Sequence, residues 1–133
     1  YGSVVARFIS QALAGAPLTV HGDGRQTRSF TYVADTVRGT LLAGTHPAAV
    51  GDVFNVGNDR EVSIEQLAHE IVALSGSASP IVRQPYEAAY GPRFADPRRR
   101  VPDTSKARRT LGFSAEVPLR EGLARTIEWF RSS

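Results

Sequence analysis

Residues 18–35 read LTVHGDGRQTRSFTYVAD, and the fold turns on how that stretch divides. Leu18 and Val20 alternate with Thr19 and His21, the period-two pattern of a half-buried strand. Gly22-Asp23-Gly24 is turn chemistry, because glycine accepts the backbone conformations a tight reversal demands. Ser29–Val33 alternates again and predicts a second strand, with Arg28 just ahead of it. Asp35 stands where a carboxylate caps a helix carrying Val37, Leu41 and Leu42 and ending near Gly44. One guanidinium is thus set at the mouth of a two-stranded unit, beside a flexible turn.

Working outward, Val5, Phe8, Ile9, Ala12 and Leu13 recur at helical spacing before Gly15 and Pro17. On the other side Thr45–Gly51 reads as a loop, Asp52–Val56 as a buried strand and Gly57-Asn58-Asp59 as a turn. Ser63 and Gln66 form a capping-box pattern ahead of the apolar face Ile64, Leu67, Ala68, Ile71 and Leu74, with Val62 and Leu67 spaced for a hydrophobic staple. Pro80–Gln84 is a short strand. Pro85–Pro102 has no sustained periodicity and carries four prolines and four arginines, the composition of a functional or disordered loop. Asp103 is placed to cap a short helix ending at Leu111-Gly112. Pro118 opens a last helix with the stripe Leu119, Leu123, Ile127 and Phe130. Strands alternating with helices predict an α/β chain, α+β if it stands alone, with too few strong strands for a complete Rossmann domain.

At 133 residues the chain is one domain at most, and its 41% hydrophobic content suits a globular core. No apolar run approaches the roughly 20 residues of a membrane span, so no membrane partner is expected. The absence of cysteine removes disulfides and thiolate metal sites and fits the cytoplasm. His21, His46 and His69 lack metal-ligand spacing, so no metal is expected. The net charge of +3 comes mainly from arginine, which favours phosphate and carboxylate partners, although a genome poor in lysine codons would give the same excess. The run Arg98-Arg99-Arg100 is too narrow for a nucleic-acid surface, so none is expected as a partner.

Several kinds of chemistry are missing. Gly22-Asp23-Gly24 lacks the third glycine and the following helix of a dinucleotide cradle. No Tyr-x-x-x-Lys pair exists: four residues after Tyr32, Tyr86 and Tyr90 stand Thr36, Tyr90 and Phe94. No serine or cysteine nucleophile has a base spaced to serve it. The chain is therefore expected to hold no catalytic and no cofactor-binding residue. What remains is cationic. Arg28 offers a planar fork for two oxygens, and Arg100 follows within the basic run. By spacing alone, an exposed strand-edge arginine is the favoured reading of Arg28, and a solvated charge run and a solvent-facing strand histidine are the plain alternatives for the basic run and His21.

The ordered set of a Gly-Asp-Gly turn, QTRSF, FNVGN, a capped helix, RRVPD and the closing EGLARTIEWF resembles the nucleotide-sugar epimerase/dehydratase/decarboxylase family, the extended short-chain dehydrogenases. UDP-glucuronate decarboxylase-like and UDP-glucose 4-epimerase-like members are the most similar in pattern. The resemblance runs from about residue 4 to 130 and covers only the family's C-terminal half. It implies a single nucleotide-sugar-binding portion, a UDP-sugar most of all. It also implies NAD in the complete enzyme, with the dinucleotide-binding Rossmann half as a missing partner. Such an enzyme oxidises the sugar at C4 and then epimerises, decarboxylates or dehydrates the ketone; the chain alone is expected to be inactive.

By the same resemblance Arg28 contacts the diphosphate, Arg100 with Arg99 supplies a second phosphate or ribose contact, and His21 occupies a position that packs near the base. Leu18 lies where relatives touch the base through the backbone, its side chain being core material. The turn holding Asn55 and Asn58 shapes the fold. Residues 85–102 are expected to form a lid over the sugar. An apolar face with Val37, Leu41, Val53 and Phe54 is expected to lie open and drive homo-oligomer formation. A stand-alone, non-catalytic nucleotide- or protein-binding module is the competing reading.

Overall fold

The stripe of apolar residues at helical spacing in the first fifteen positions forms one face of α1 (Val4–Leu13), with Phe8, Ile9 and Ala12 buried. The computed structural model of the chain describes residues 3–91 and 96–132. From α1 the chain enters β1 (Leu18–His21) and β2 (Thr27–Arg28), then α2 (Val33–Thr45) and a 3-10 turn, Pro47–Ala49. Next come β3 (Val62–Ser63), α3 (Ile64–Ser75), β4 (Ile81–Gln84) and α4 (Tyr86–Tyr90). The last elements are β5 (Arg99–Arg100), α5 (Ser105–Leu111) and α6 (Leu119–Ser132). The fold class is α/β, as expected.

Two small cores organise these elements. In the first, α1, α3 and α6 pack together against β1, and β4 runs parallel to β1 with Leu18 opposite Ile81 and His21 opposite Gln84. Leu18 and Val20 are fully buried there with Phe8, Ile9, Leu67 and Ile71, each worth about 1.5–3 kcal/mol of burial. The sequence signal of α3 is realised in full: Ser63 Oγ accepts from the Gln66 N–H at 3.1 Å, and Gln66 Oε1 accepts from the Ser63 N–H at 3.0 Å. The second core gathers Ala49, Ala107, Leu111 and Phe113, with Leu42, Ala43, Phe54 and Val56 around them.

The remaining strands form a three-stranded sheet. β2 lies in its centre, antiparallel to β3 and parallel to β5, with Arg28 in register with Val62 on one side and Arg100 on the other.

Several expectations need correction. The second strand is Thr27–Arg28 and not Ser29–Val33. Beyond Arg28 the chain meets Asn58 instead of a neighbouring strand: the Asn58 side chain donates through Nδ2 to Phe30 O at 3.2 Å, and the Asn58 backbone N–H donates to the Thr31 side chain at Oγ1, 2.9 Å away. Asp35 does not cap α2, which begins at Val33; it lies inside the first turn, 3% exposed, and reaches across to the segment ahead of α6. Asp52–Val56 forms no ladder and is not buried. Val53 is 81% exposed, because a strand exists only by pairing and no partner strand stands beside it among the described residues. Within 85–102 the structure adds α4 and β5, while residues 92–95 of the expected lid lie outside the described residues. Asp103 serves the start of α5 by accepting from the Ser105 N–H at 2.9 Å, with Thr104 in the cap position.

Gly39 sits where α2 meets the second core. A Cβ there would lie 2.3 Å from Val56 Cγ1 and 2.9 Å from Phe113 Cε2. Gly39→Ala is therefore expected to lose about 1–2 kcal/mol in chemical denaturation, the cost of overpacking outweighing the helix preference of alanine. A variant as stable as the parent would refute that packing argument.

The outer face of α2 is apolar and open: Val33, Val37 and Leu41 are each more than half exposed, and Val53 lies open as well. Phe54, expected on this face, is half-buried in the second core beneath the Lys106 ammonium, 4.9 Å from its ring centre. Exposed apolar surface of this kind favours association. The 133-residue chain is expected to sediment as a dimer or larger species, and Leu41→Glu to shift it toward monomer; a strict monomer at tens of micromolar would count against this.

Candidate functional site

A cleft of about 500 Å³ opens between β1, β2, α1, α4 and β5. Its polar lining includes Arg7, His21, Gln26, Arg28, Tyr86, Asp96 and Arg100. The parallel register of β2 and β5 carries Arg28 and Arg100, 72 positions apart in the chain, to this one site.

The two arginines are held very differently. Arg28 is 7% exposed. Its Nη1 donates to Thr27 O at 2.7 Å and to Pro97 O at 2.9 Å, and its Nη2 donates to Asp96 Oδ1 at 2.5 Å. A guanidinium has five N–H groups; the Nε–H and one Nη2–H of Arg28 have no acceptor among the described residues. Arg100 is exposed and pairs with no carboxylate among the described residues. A fixed, partly neutralised fork thus faces the same cleft as an exposed cation with no carboxylate partner among the described residues, an arrangement that fits an anion with more than one charged group.

Asp96 is held from its other oxygen as well, with Tyr86 Oη donating to Asp96 Oδ2 at 2.8 Å. Burial first, and the adjoining carboxylate second, hold the Tyr86 phenol well above its ordinary pKa, so it remains a donor at any physiological pH. The Tyr86 ring lies against the Gly-Asp-Gly turn. Gly22 has φ +72, and a Cβ there would stand 2.3 Å from Tyr86 Cε2. This position requires glycine on both counts.

His21 lines the same cleft, its ring edge-on to Tyr86 with centroids 6.4 Å apart. Its Nδ1 lies 3.1 Å from Tyr90 Oη and 3.4 Å from Arg7 Nη1. Arginine only donates, so Nδ1 accepts and the ring proton sits on Nε2. Burial, aided by the Arg7 charge, pushes the His21 pKa below its ordinary value and keeps the ring neutral. The open edge of β1 is covered by side chains: Arg7 Nη2 donates to Thr19 O at 3.2 Å, and Gln26 Nε2 donates to His21 O at 2.9 Å.

Of the five residues singled out in the sequence, the structure brings Arg28, Arg100 and His21 together. It does not bring Leu18 or Arg99. Leu18 does not line the cleft, and its side chain is fully buried in the first core, where the sequence places it. Arg99 falls on the opposite face of β5 by strand alternation and pairs with Glu61 at 3.0 Å. Arg98 pairs with Asp23 at 2.8 Å, so two of the three charges in the basic run are engaged elsewhere. Sequence reasoning missed Arg7, Gln26, Tyr86 and Asp96. The rings and prolines of 85–102 signalled that the loop mattered, but nothing in the spacing marked which of its residues would meet Arg28.

Comparison with known proteins places this geometry in context. The family profile described as GDP-mannose 4,6 dehydratase matches residues 2–126. The chain is 41% identical over 131 residues to a UDP-N-acetyl-alpha-D-glucosaminuronate decarboxylase of Bacillus cytotoxicus, covering 98% of this chain and 40% of that protein. It is 45% identical to UDP-glucuronic acid decarboxylase 1 of Xenopus tropicalis, covering 98% and 29%. Among solved structures, a Thermotoga maritima UDP-glucose 4-epimerase with UDP-glucose matches at TM-score 0.87 and 36% identity, covering 99% and 41%. A Bacillus cereus UDP-glucuronic acid 4-epimerase in complex with UDP-glucuronic acid and NAD matches at TM-score 0.85 and 31% identity, covering 98% and 40%. The chain thus spans well under half the length of each of these relatives.

Proposed function

The chain belongs to the GDP-mannose 4,6-dehydratase family, and from that membership we propose that it is the nucleotide-sugar-binding part of an NAD-dependent epimerase, dehydratase or decarboxylase. The observation that carries the reading is the convergence of Arg28 and Arg100 on one cleft that the His21 ring also lines. In this reading the two guanidiniums hold the diphosphate, Arg28 through its fixed N–H groups and Arg100 as a charge that closes on the ligand. The His21 ring packs beside the base. A UDP-sugar is the substrate class, because the two decarboxylases and two epimerases compared above carry UDP-sugars in their names.

The glycine turn of this chain does not suit NAD itself. Gly22-Asp23-Gly24 leads into β2 and not into a helix, so no helix N-terminus is offered to a pyrophosphate there. The chain's own share is therefore to bind and orient the nucleotide, which raises the effective concentration of the sugar at chemistry performed by other residues. No helix among the described residues is long and apolar enough to cross a membrane. A cytoplasmic setting, where NAD is available and a cysteine-free chain is at home, completes the reading.

The test is to supply the intact protein containing this chain with NAD and, separately, UDP-glucose and UDP-glucuronate, and to follow the sugar by NMR. Conversion of either supports the proposal. Failure of UDP and of both UDP-sugars to bind at millimolar concentration overturns it.

A further inference from the structure

We infer that Tyr86 is a positioning residue for the anion site: acting through Asp96, it holds the Arg28 guanidinium in the orientation that leaves two of its N–H groups, which have no acceptor among the described residues, for a ligand. The inference rests on the reading of Arg28 as a diphosphate contact. Its structural basis is a chain of hydrogen bonds in which one carboxylate is gripped at both oxygens, Oδ2 by the Tyr86 hydroxyl at 2.8 Å and Oδ1 by Arg28 Nη2 at 2.5 Å. An Asp96 held at one oxygen alone is free to turn about its Cβ–Cγ bond, and the Arg28 fork turns with it. Groups that lock a binding side chain in this way decide whether its donors are preorganised.

A second, separate observation places the Tyr86 ring. The close approach to Gly22 leaves no room for even one methyl group between ring and turn. The turn therefore fixes the ring, the ring fixes the hydroxyl, the hydroxyl fixes Asp96, and Asp96 fixes the guanidinium. Pro97 O accepts from Arg28 Nη1 at 2.9 Å, so the segment after Asp96 is tied to the same group. This gives the Gly-Asp-Gly turn a role that its sequence does not announce: it seats the brace of the anion site.

The experiment measures UDP binding by calorimetry in the intact protein carrying Tyr86→Phe, Arg28→Ala, or both. Tyr86→Phe is expected to weaken UDP about tenfold, and to raise KM for the nucleotide sugar by more than it lowers kcat. In the Arg28→Ala background the same change is expected to cost less than twofold, because the group it positions is gone. Gly22→Ala, which displaces the ring without removing the hydroxyl, is expected to reproduce the loss and the dependence on Arg28. It serves as the second variant should Tyr86→Phe fold poorly. Unchanged UDP affinity in Tyr86→Phe overturns the inference. So does an equal loss with and without Arg28, which would make Tyr86 a packing residue or a direct contact. If Arg28→Ala alone leaves UDP affinity unchanged, the reading of the site fails, a result distinct from failure of the brace.

Discussion

Arg28→Ala in the intact protein is expected to weaken UDP binding at least tenfold. Charge-assisted hydrogen bonds contribute about 1.5–3 kcal/mol each, and 1.4 kcal/mol is a factor of ten. Arg28 has two N–H groups with no acceptor among the described residues and is itself only 7% exposed, so its contribution lies toward the upper part of that range. Arg28→Lys is expected to recover only part of the loss. An ammonium has three donors on one nitrogen and cannot reach Thr27 O, Pro97 O, Asp96 and a phosphate together, as the planar fork is able to. Arg100→Ala is expected to cost less than Arg28→Ala and to be more sensitive to salt, because Arg100 is exposed and acts mainly as a screened charge. Calorimetric titration with UDP at two salt concentrations checks all three, with thermal unfolding of Arg28→Ala as the control for loss of the Thr27 and Pro97 contacts. An Arg28→Ala protein with the parent's affinity would remove Arg28 from the site.

What could be read from the sequence follows the range of the forces involved. The capping box at Ser63 and Gln66, the alternation of Leu18 and Val20 and the stripe of α6 are set by neighbours within a turn or a strand, and the structure agrees with each. Asp52–Val56 has strand composition, but pairing is a property of two segments, and the second is not beside it. Ser29–Val33 alternates well enough, yet Asn58, nearly thirty residues on, satisfies that backbone with a side chain. The candidate site divides in the same way. Arg28 and Arg100 stood out because they sit in recognisable motifs. Asp96, 68 positions from Arg28, and Tyr86 carry no local mark of their roles, which arise only when the chain after β4 returns alongside β2.

The Asp35 carboxylate is expected to make the larger contribution to stability. It is almost wholly buried and accepts from the Glu116 N–H at 3.0 Å, the Val117 N–H at 2.9 Å and Arg38 Nη2 at 2.9 Å. These bonds pin the segment ahead of α6, which belongs to the first core, to the first turn of α2, which borders the second. Asp35→Ala leaves two backbone N–H groups without their acceptor and is expected to cost about 3 kcal/mol in denaturant unfolding. Asp35→Asn keeps an acceptor oxygen but not the charge, and is expected to cost roughly half as much, in line with the weaker bonds of a neutral acceptor.

The pH dependence has a definite sign. Burial opposes ionisation of Asp35, but the bonds from Val117, Arg38 and Glu116 outweigh it and hold the folded pKa below the ordinary value. A carboxyl whose pKa falls on folding stabilises the protein fully above its unfolded pKa of about 3.9, and that stability is lost as pH falls through the folded value. The gap in stability between the parent and Asp35→Asn is therefore expected to be constant from pH 7 to about pH 5 and to shrink below pH 4. A gap that stays constant down to pH 3, or an Asp35→Ala protein within 0.5 kcal/mol of the parent at neutral pH, an effect of about the size of an ordinary surface substitution, would show that this buried carboxylate does not join the two cores.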